Sequence, residues 1–333
     1  MPEFLRLSTG EQADILSGMA AKTGRSAQVL QKDVWVCWAL MELFGRKSAI
    51  RMAFKGGTSL SKIFQAIHRF SEDVDVTLDY RDLCPDMSID PFADGTSKSK
   101  KKSFGEQLKM RVREYIHQDL MPPISASFIE LTNGEGRVEV SEDGERVKLH
   151  YPSGLISGAD YVGDWILLEF GGRNVTEPNG PHKITAAIAG ELPTVAFPEA
   201  EVMVLSPERT FWEKATLIHV ACHRQGEFSA ERISRHWYDL AMLYRIDIGK
   251  NALSNRALLN DVVRHKKVFF DASYANYDAC LTKGFRLVPD EPLFSGLRQD
   301  YSTMESSGMF DSPPPSFEEI VGALKEIEDT INR

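Results

Sequence analysis

The sequence is poor in cysteine, has no long apolar run and carries no excess of positive charge, and each shortage removes a class of protein. Its four cysteines, Cys37, Cys84, Cys222 and Cys280, lie far apart with no C-x-x-C pair. That leaves neither a disulfide framework nor a cysteine-rich zinc site. No apolar stretch approaches the ~18 residues a membrane span needs. The opening residues, Met1 to Ser8, lack the basic-then-apolar layout of a signal peptide. A cytoplasmic protein without a membrane partner is the expectation. Acidic residues outnumber basic ones by 48 to 39, a net charge of −9, whereas a protein that coats nucleic acid carries clustered Lys and Arg. The densest basic run, Lys98-Ser99-Lys100-Lys101-Lys102, reads as a solvated loop leading into a helix. Two phosphate-binding signatures are also missing: no Walker A motif and no G-x-G-x-x-G.

What is present is a globular balance, 42% hydrophobic and 26% charged, over 333 residues, enough for about two domains at ~100–200 residues each. Ser8 and Glu11 form a capping-box pattern ahead of a helix, and a more apolar helix is expected over about 27–44. Phe54-Lys55-Gly56-Gly57-Thr58 reads as a short strand ending in a glycine turn, followed by a helix over 58–67. Val74, Val76 and Leu78 alternate with polar residues, the period of a half-buried strand. Phe104 to Leu120 reads as a helix stopped by Pro122-Pro123. From about 125 to 203, short runs (125–131, 137–140, 146–151 and 165–170) are separated by Asn133-Gly134, Asp143-Gly144 and Gly171-Gly172, a pattern of antiparallel hairpins. Ser206-Pro207-Glu208 then opens a helix, and helical patterns follow over about 207–222, 229–244, 253–264 and from 317 on. The expected division is an α/β domain over 1–200 and a helical domain over 201–333.

One stretch carries chemistry. Gly56 and Gly57 allow backbone to approach a ligand closely, and the start of a helix offers free N–H groups to phosphate, with Thr58 and Ser59 adding hydroxyls. Downstream, Asp73 and Asp75 are two apart on a strand, so both carboxylates project from one face. Mg²⁺ binds through one or two carboxylates plus substrate phosphates. A phosphate cradle followed by D-x-D is therefore the equipment of metal-assisted nucleotidyl transfer. Asp73-Val-Asp75-Val-Thr77 also matches the D-x-D-x-T nucleophile loop of haloacid-dehalogenase-like phosphatases, but Arg69, Ser71 and Glu72 stand where that loop needs a buried apolar strand. Each half of the constellation is common by itself; the pair is not.

The segment Gly56-Gly57-Thr58-Ser59-Leu60, then Arg69-x-Ser71-x-Asp73-x-Asp75, resembles the first motif of the AbiEii/AbiGii toxin family of nucleotidyltransferases, within the DNA-polymerase-β-like superfamily. Fifteen residues separate Gly57 from Asp73, which fits the extended spacer of that family. Gln31-Lys32-Asp33-Val34-Trp35-Val36 resembles its N-terminal helix, 206–214 its lysine motif, and Arg235-His236-Trp237-Tyr238-Asp239-Leu240 its last acidic motif. The likeness covers nearly the whole chain. It implies an α/β (α+β) fold: a polymerase-β-like lobe with a mixed or antiparallel sheet, then a mainly helical C-terminal lobe closing an active-site cleft. It assigns Gly56, Gly57, Thr58, Ser59, Arg69, Ser71 and Lys214 to the nucleotide. Asp73 and Asp75 become metal ligands, and Asp73, Asp75, Lys214, Asp239 and Glu169 form the catalytic set.

Several assignments have independent readings. Glu169, in the apolar run Trp165 to Phe170, is either the third superfamily acid, ligating metal or taking a proton, or one arm of a salt bridge to Arg173. Lys214 falls among apolar neighbours on a helical wheel, so it pairs with an acid, enters a polar cleft or snorkels. Asp239 is likewise flanked by Met242 and Leu243, and the resemblance makes it an active-site acid that orients Lys214. For Arg69 and Ser71 a local turn role stands beside the nucleotide role. His219 and His223 share a helix face, but Val220 replaces the Glu of H-E-x-x-H, so an ordinary helical pair is expected. Phe211 and Trp212 read as core. The resemblance implies a Mg²⁺-dependent toxin that transfers NMP from an NTP to a hydroxyl, the 3′ end of tRNA, in a toxin–antitoxin or phage-abortive-infection system with a cognate antitoxin. Alternatives are modification of a protein or small molecule, and a non-catalytic nucleotide- or partner-binding module.

Overall fold

In the computed structural model the described residues are 2–86, 89–155, 163–224 and 231–333. They divide into two compact units. The first comprises Met1–Ile63, Ser71–Met87 and Glu106–Leu205; the second comprises Phe64–Phe70, Ser88–Gly105 and Ser206–Arg333.

The first unit is a mixed α/β structure. Helix α1 (Thr9–Thr23) starts on the Ser8/Glu11 capping box and ends on Gly24, whose φ of 74° is a left-handed cap. Helix α2 (Ala27–Phe44) is capped by Ser26, whose Oγ accepts the Val29 N–H. It buries Leu30, Val34, Trp35, Trp38 and Leu40. The chain continues through β1 (Met52–Lys55), α3 (Gly56–Lys62), β2 (Val74–Asp79), α4 (Tyr80–Leu83), α5 (Lys98–Tyr115), α6 (Met121–Leu131), β3 (Arg137–Val140), β4 (Arg146–His150), β5 (Trp165–Asn174), β6 (Asn179–Thr185) and β7 (Glu199–Leu205). Among the described residues the strands form one seven-stranded sheet in the order β3-β4-β5-β2-β1-β7-β6. It is mixed: β2 pairs antiparallel with β1 and parallel with β5, and β1 pairs parallel with β7. Phe54, Val74, Val76, Ile166, Leu168 and Val204 are buried in it.

Four expectations change here. Lys98 to Lys102 is the first turn and a half of α5 itself, not a loop. Pro122-Pro123 does not stop a helix; a π-type turn (Ile116–Leu120) runs into α6, where both prolines sit in the first turn and their missing N–H groups cost nothing. The 125–131 run is therefore helical, and Met121, Ile124 and Phe128 are buried at helical spacing. Gly171-Gly172 is not a turn but lies inside β5, and a Cβ on Gly172 would stand 2.4 Å from Val112 Cγ2, so helix packing demands the glycine.

The second unit is helical from Ser206 onward. Helix α7 (Pro207–His223) has Ser206 as cap and proline in its first turn. It is followed by α8 (Ser234–Tyr244), α9 (Asp247–Ser254), α10 (Arg256–Phe269), α11 (Leu293–Ser306) and α12 (Phe317–Asn332). The expected helix start at Ser229 lies outside the described residues. Phe211 and Trp212 are core, and Trp212 Nε1 donates to Ala252 O at 3.1 Å. The segment at Arg69 joins this unit through a bridge to Phe310. Among the described residues no helix is long and apolar enough to cross a membrane.

Candidate active site

The sheet register sets up the first charged centre. Lys55, the last residue of β1, lies opposite Asp75 on β2; Asp75 lies opposite Glu169 on β5, and Glu169 opposite Arg146 on β4. Residues paired across strands share a face, so these four form a charged row. Asp73, two residues before Asp75, precedes the strand, and both aspartates are half-buried. Glu169 is not a buried acid: it keeps 37% of its side-chain exposure and faces Arg146 Nε at 3.4 Å. Arg173, the salt-bridge partner expected for Glu169, lies 3.5 Å from Glu145.

The glycine turn closes onto this row. Gly56 has a φ of 81°, and a Cβ there would fall 1.9 Å from Asp75 Oδ2. Only glycine lets the carboxylate lie directly over the turn. Thr58 Oγ1 donates to the Asp73 carbonyl at 2.6 Å and stands 3.0 Å from Ser71 Oγ. Ser59 Oγ donates to Gly56 O at 2.9 Å. Thr58 and Ser59 are buried; of these hydroxyls, expected to reach phosphate, Thr58 fastens the turn to the chain that enters β2 and Ser59 closes the turn on itself.

The second unit holds another charged centre. Arg69 grips Asp239 with two parallel bonds, Nε to Oδ1 at 2.7 Å and Nη2 to Oδ2 at 2.8 Å, and its Nη1 donates to Phe70 O. Lys214 Nζ approaches Asp239 Oδ2 at 2.8 Å and lies 3.4 Å from His236 Nδ1. Asp239 is wholly buried, Arg69 and Lys214 nearly so. Burial alone would raise the Asp239 carboxyl, but Arg69 and Lys214 outweigh it and hold it far below the usual carboxylate range. Burial lowers Lys214, with the Asp239 charge opposing, and pushes His236 well down. Arg69, expected among the nucleotide-binding residues, is thus occupied in holding an aspartate.

His219 and His223 are an ordinary helical pair. The Arg286 N–H donates to His219 Nδ1 at 3.0 Å and His219 Nε2 lies 3.1 Å from Asn276 O, which fixes the neutral Nε2–H tautomer. Among the described residues no group of three or more His, Cys, Asp or Glu side chains makes a metal cage. The donor set at Asp73 and Asp75, two half-buried carboxylates beside the glycine turn, fits a magnesium ion that completes its shell with substrate phosphates and water. Sequence reasoning passed over Lys55 and Arg146. The signal for Lys55 was available: the residue before the glycine pair ends β1, and an antiparallel return brings D-x-D beside it.

Among solved structures, the MenT4 nucleotidyltransferase toxin of Mycobacterium tuberculosis H37Rv matches at 15% identity and a TM-score of 0.45, over 98% of each chain. A search of curated proteins gave no significant match. A family model described as nucleotidyl transferase AbiEii toxin, type IV toxin–antitoxin system, matches residues 38–323. That span takes in the glycine turn, both aspartates, Lys214 and Asp239, and the chain belongs to the AbiEii family of nucleotidyltransferase toxins.

Proposed function

We propose that this nucleotidyltransferase moves a nucleoside monophosphate from an NTP to the 3′ end of tRNA, with Mg²⁺, in the cytoplasm, under the restraint of a cognate antitoxin, in toxin–antitoxin or phage-abortive defence. The observation that carries the reading is the Asp75 carboxylate lying over Gly56. It joins the two halves of the motif, the glycine turn and the second acid of D-x-D, at one place.

Asp73 and Asp75 would hold the Mg²⁺, which when bound offsets charge on the triphosphate and on the departing pyrophosphate. Glycine at 56 gives the Asp75 carboxylate its room over the turn, and Thr58 and Ser59 keep that backbone in place. A tRNA hydroxyl attacks the α-phosphorus, the bond to pyrophosphate breaks, and Glu169, beside Asp75 in register, takes the hydroxyl proton. Lys214 is assigned to the triphosphate charge, and its support is the Asp239 ion pair that fixes its head group. Arg69 and Asp239 then act by positioning Lys214.

Each NTP supplied singly with tRNA and Mg²⁺ tests the reading, with 3′-end extension and pyrophosphate release measured together. Extension with at least one NTP is expected, abolished by a chelator and by Asp73→Asn. Gly56→Ala should lower it by at least about tenfold, since its methyl collides with Asp75. Labelled protein or small molecule with untouched tRNA would overturn the acceptor. Absence of pyrophosphate release with any acceptor would overturn the transfer itself.

A further inference from the structure

Two consecutive residues of α2 reach both halves of the first-unit site. Lys32 is buried and forms an ion pair with Glu72. Its Nζ also donates to Gly163 O at 3.1 Å and lies 4.8 Å from the centre of the Trp165 ring. Asp33 forms an ion pair with Lys62, the last residue of α3, and its Oδ2 accepts the Ala187 N–H at 2.7 Å. Glu72 immediately precedes Asp73. In extended chain neighbouring side chains point to opposite sides, so a Glu72 drawn inward by Lys32 turns Asp73 outward. Lys62 ends the short helix that Gly56 begins, so anchoring it sets where the glycine turn lies against Asp75.

We propose that Lys32 and Asp33 are positioning residues that hold the Asp73 segment and the Gly56 turn in the arrangement that binds metal and nucleotide. The inference rests on the metal assignment made above and extends it to side chains that touch neither substrate nor metal. Lys32 also neutralises Glu72, which would otherwise add a third carboxylate to the run Glu72, Asp73 and Asp75 and compete for the cation. The two pairs come from adjacent positions on one helix, so a shift of α2 would disturb both halves together.

The test compares the full-length protein with Lys32→Met, Lys32→Met/Glu72→Gln and Asp33→Asn. The double variant removes the buried charge as well as its partner and so guards against a Lys32→Met protein that does not fold. Circular dichroism confirms folding, and titration of Mn²⁺ with a non-hydrolysable NTP analogue reads metal binding without turnover. Disturbing the residues that orient metal ligands commonly lowers affinity or activity by about 10–100-fold. The folded variants should need about tenfold or more metal for half-saturation, with a matching rise in the Mg²⁺ midpoint of activity. A charge exchange, Lys32→Glu with Glu72→Lys, should recover part of it. Metal midpoints within about twofold of wild type in the folded double variant and in Asp33→Asn would overturn the proposal. If wild type itself bound Mn²⁺–nucleotide normally but transferred nothing to tRNA, the acceptor reading would fail and the positioning inference would stand.

Discussion

Asp75 and Asp239 are both aspartates set against basic side chains, yet the fold treats them differently. Asp75 sits half-buried on β2, with Lys55 opposite it in register and the carboxylate over the glycine turn. Asp239 has no exposed surface, and its two oxygens are taken by three short bonds from Arg69 and Lys214. An acid that must bind something from solution keeps access to solvent. An acid that holds protein together is filled by protein. The contrast predicts that substitutions at the first centre change activity more than stability, and at the second centre stability first.

The largest effect should come from the first centre. Asp75→Asn keeps size and removes charge. Transfer should fall by about a thousandfold or more, because several kcal/mol of charge stabilisation go with the metal and each ~1.4 kcal/mol is a tenfold change in rate. The thermal midpoint should stay within a few degrees. A variant that turns over normally, or one that unfolds, would erase the distinction from Asp239.

Asp239→Ala should be felt first in stability. It leaves Arg69 and Lys214 buried without their shared carboxylate, a loss typically of about 3–5 kcal/mol. Denaturant unfolding would measure it. A loss under about 1 kcal/mol would mean that water or another acid takes over the role of Asp239, and the picture of a saturated structural acid would fall.

The second unit should also carry an acid-sensitive step. Burial, with Arg286 and His223 nearby, lowers the His219 imidazole to about 4 from its ordinary 6.5. The unfolded chain therefore takes up a proton at a higher pH than the folded one. Stability from this group is complete above pH 6.5 and is lost as pH falls from there through about 4. The loss is on the order of 2–4 kcal/mol. Unfolding free energies at pH 7, 5.5 and 4.5 would show the decline, and His219→Gln should flatten it in that window. A wild-type curve flat across the window would contradict the buried neutral tautomer.

These two centres were not equally legible in the sequence. The glycine pair and D-x-D could be read because strand alternation and turn chemistry act over a few residues. Lys214 and Asp239 showed themselves through apolar neighbours on their helices, which is again local. The partner choices depended on register and chain return. Nothing near Glu169 points to Arg146 rather than Arg173, because the pairing of β4 with β5 decides it. Arg69 looked like part of the nucleotide motif because it stands near Asp73 in sequence, whereas its guanidinium meets an acid 170 residues away. The prolines at 122–123 and glycines at 171–172 misled for one reason: both residue types break elements when alone, and both are tolerated when a first helical turn or a close helix contact calls for them.

The smallest prediction separates a buried threonine beside the site from one that is only core. Thr58 Oγ1 donates to Asp73 O at 2.6 Å, and Thr216 Oγ1 donates to Trp212 O at 2.8 Å within α7. Both are fully buried, and valine replaces either with little change in shape. Each substitution removes the hydroxyl's donated hydrogen bond, worth about 0.5–1.5 kcal/mol. Thr216→Val should fall at the low end, because Trp212 O lies inside a helix whose own ladder can still satisfy it. Thr58→Val should fall at the high end and also lower transfer by several-fold, because the lost bond ties the turn to the segment that aims Asp73. Equal stability losses with equal, unchanged activities would show that Thr58 is only a core hydroxyl. A several-fold activity loss confined to Thr58→Val would show that fastening the turn, and not burial as such, keeps the first centre ready for substrate.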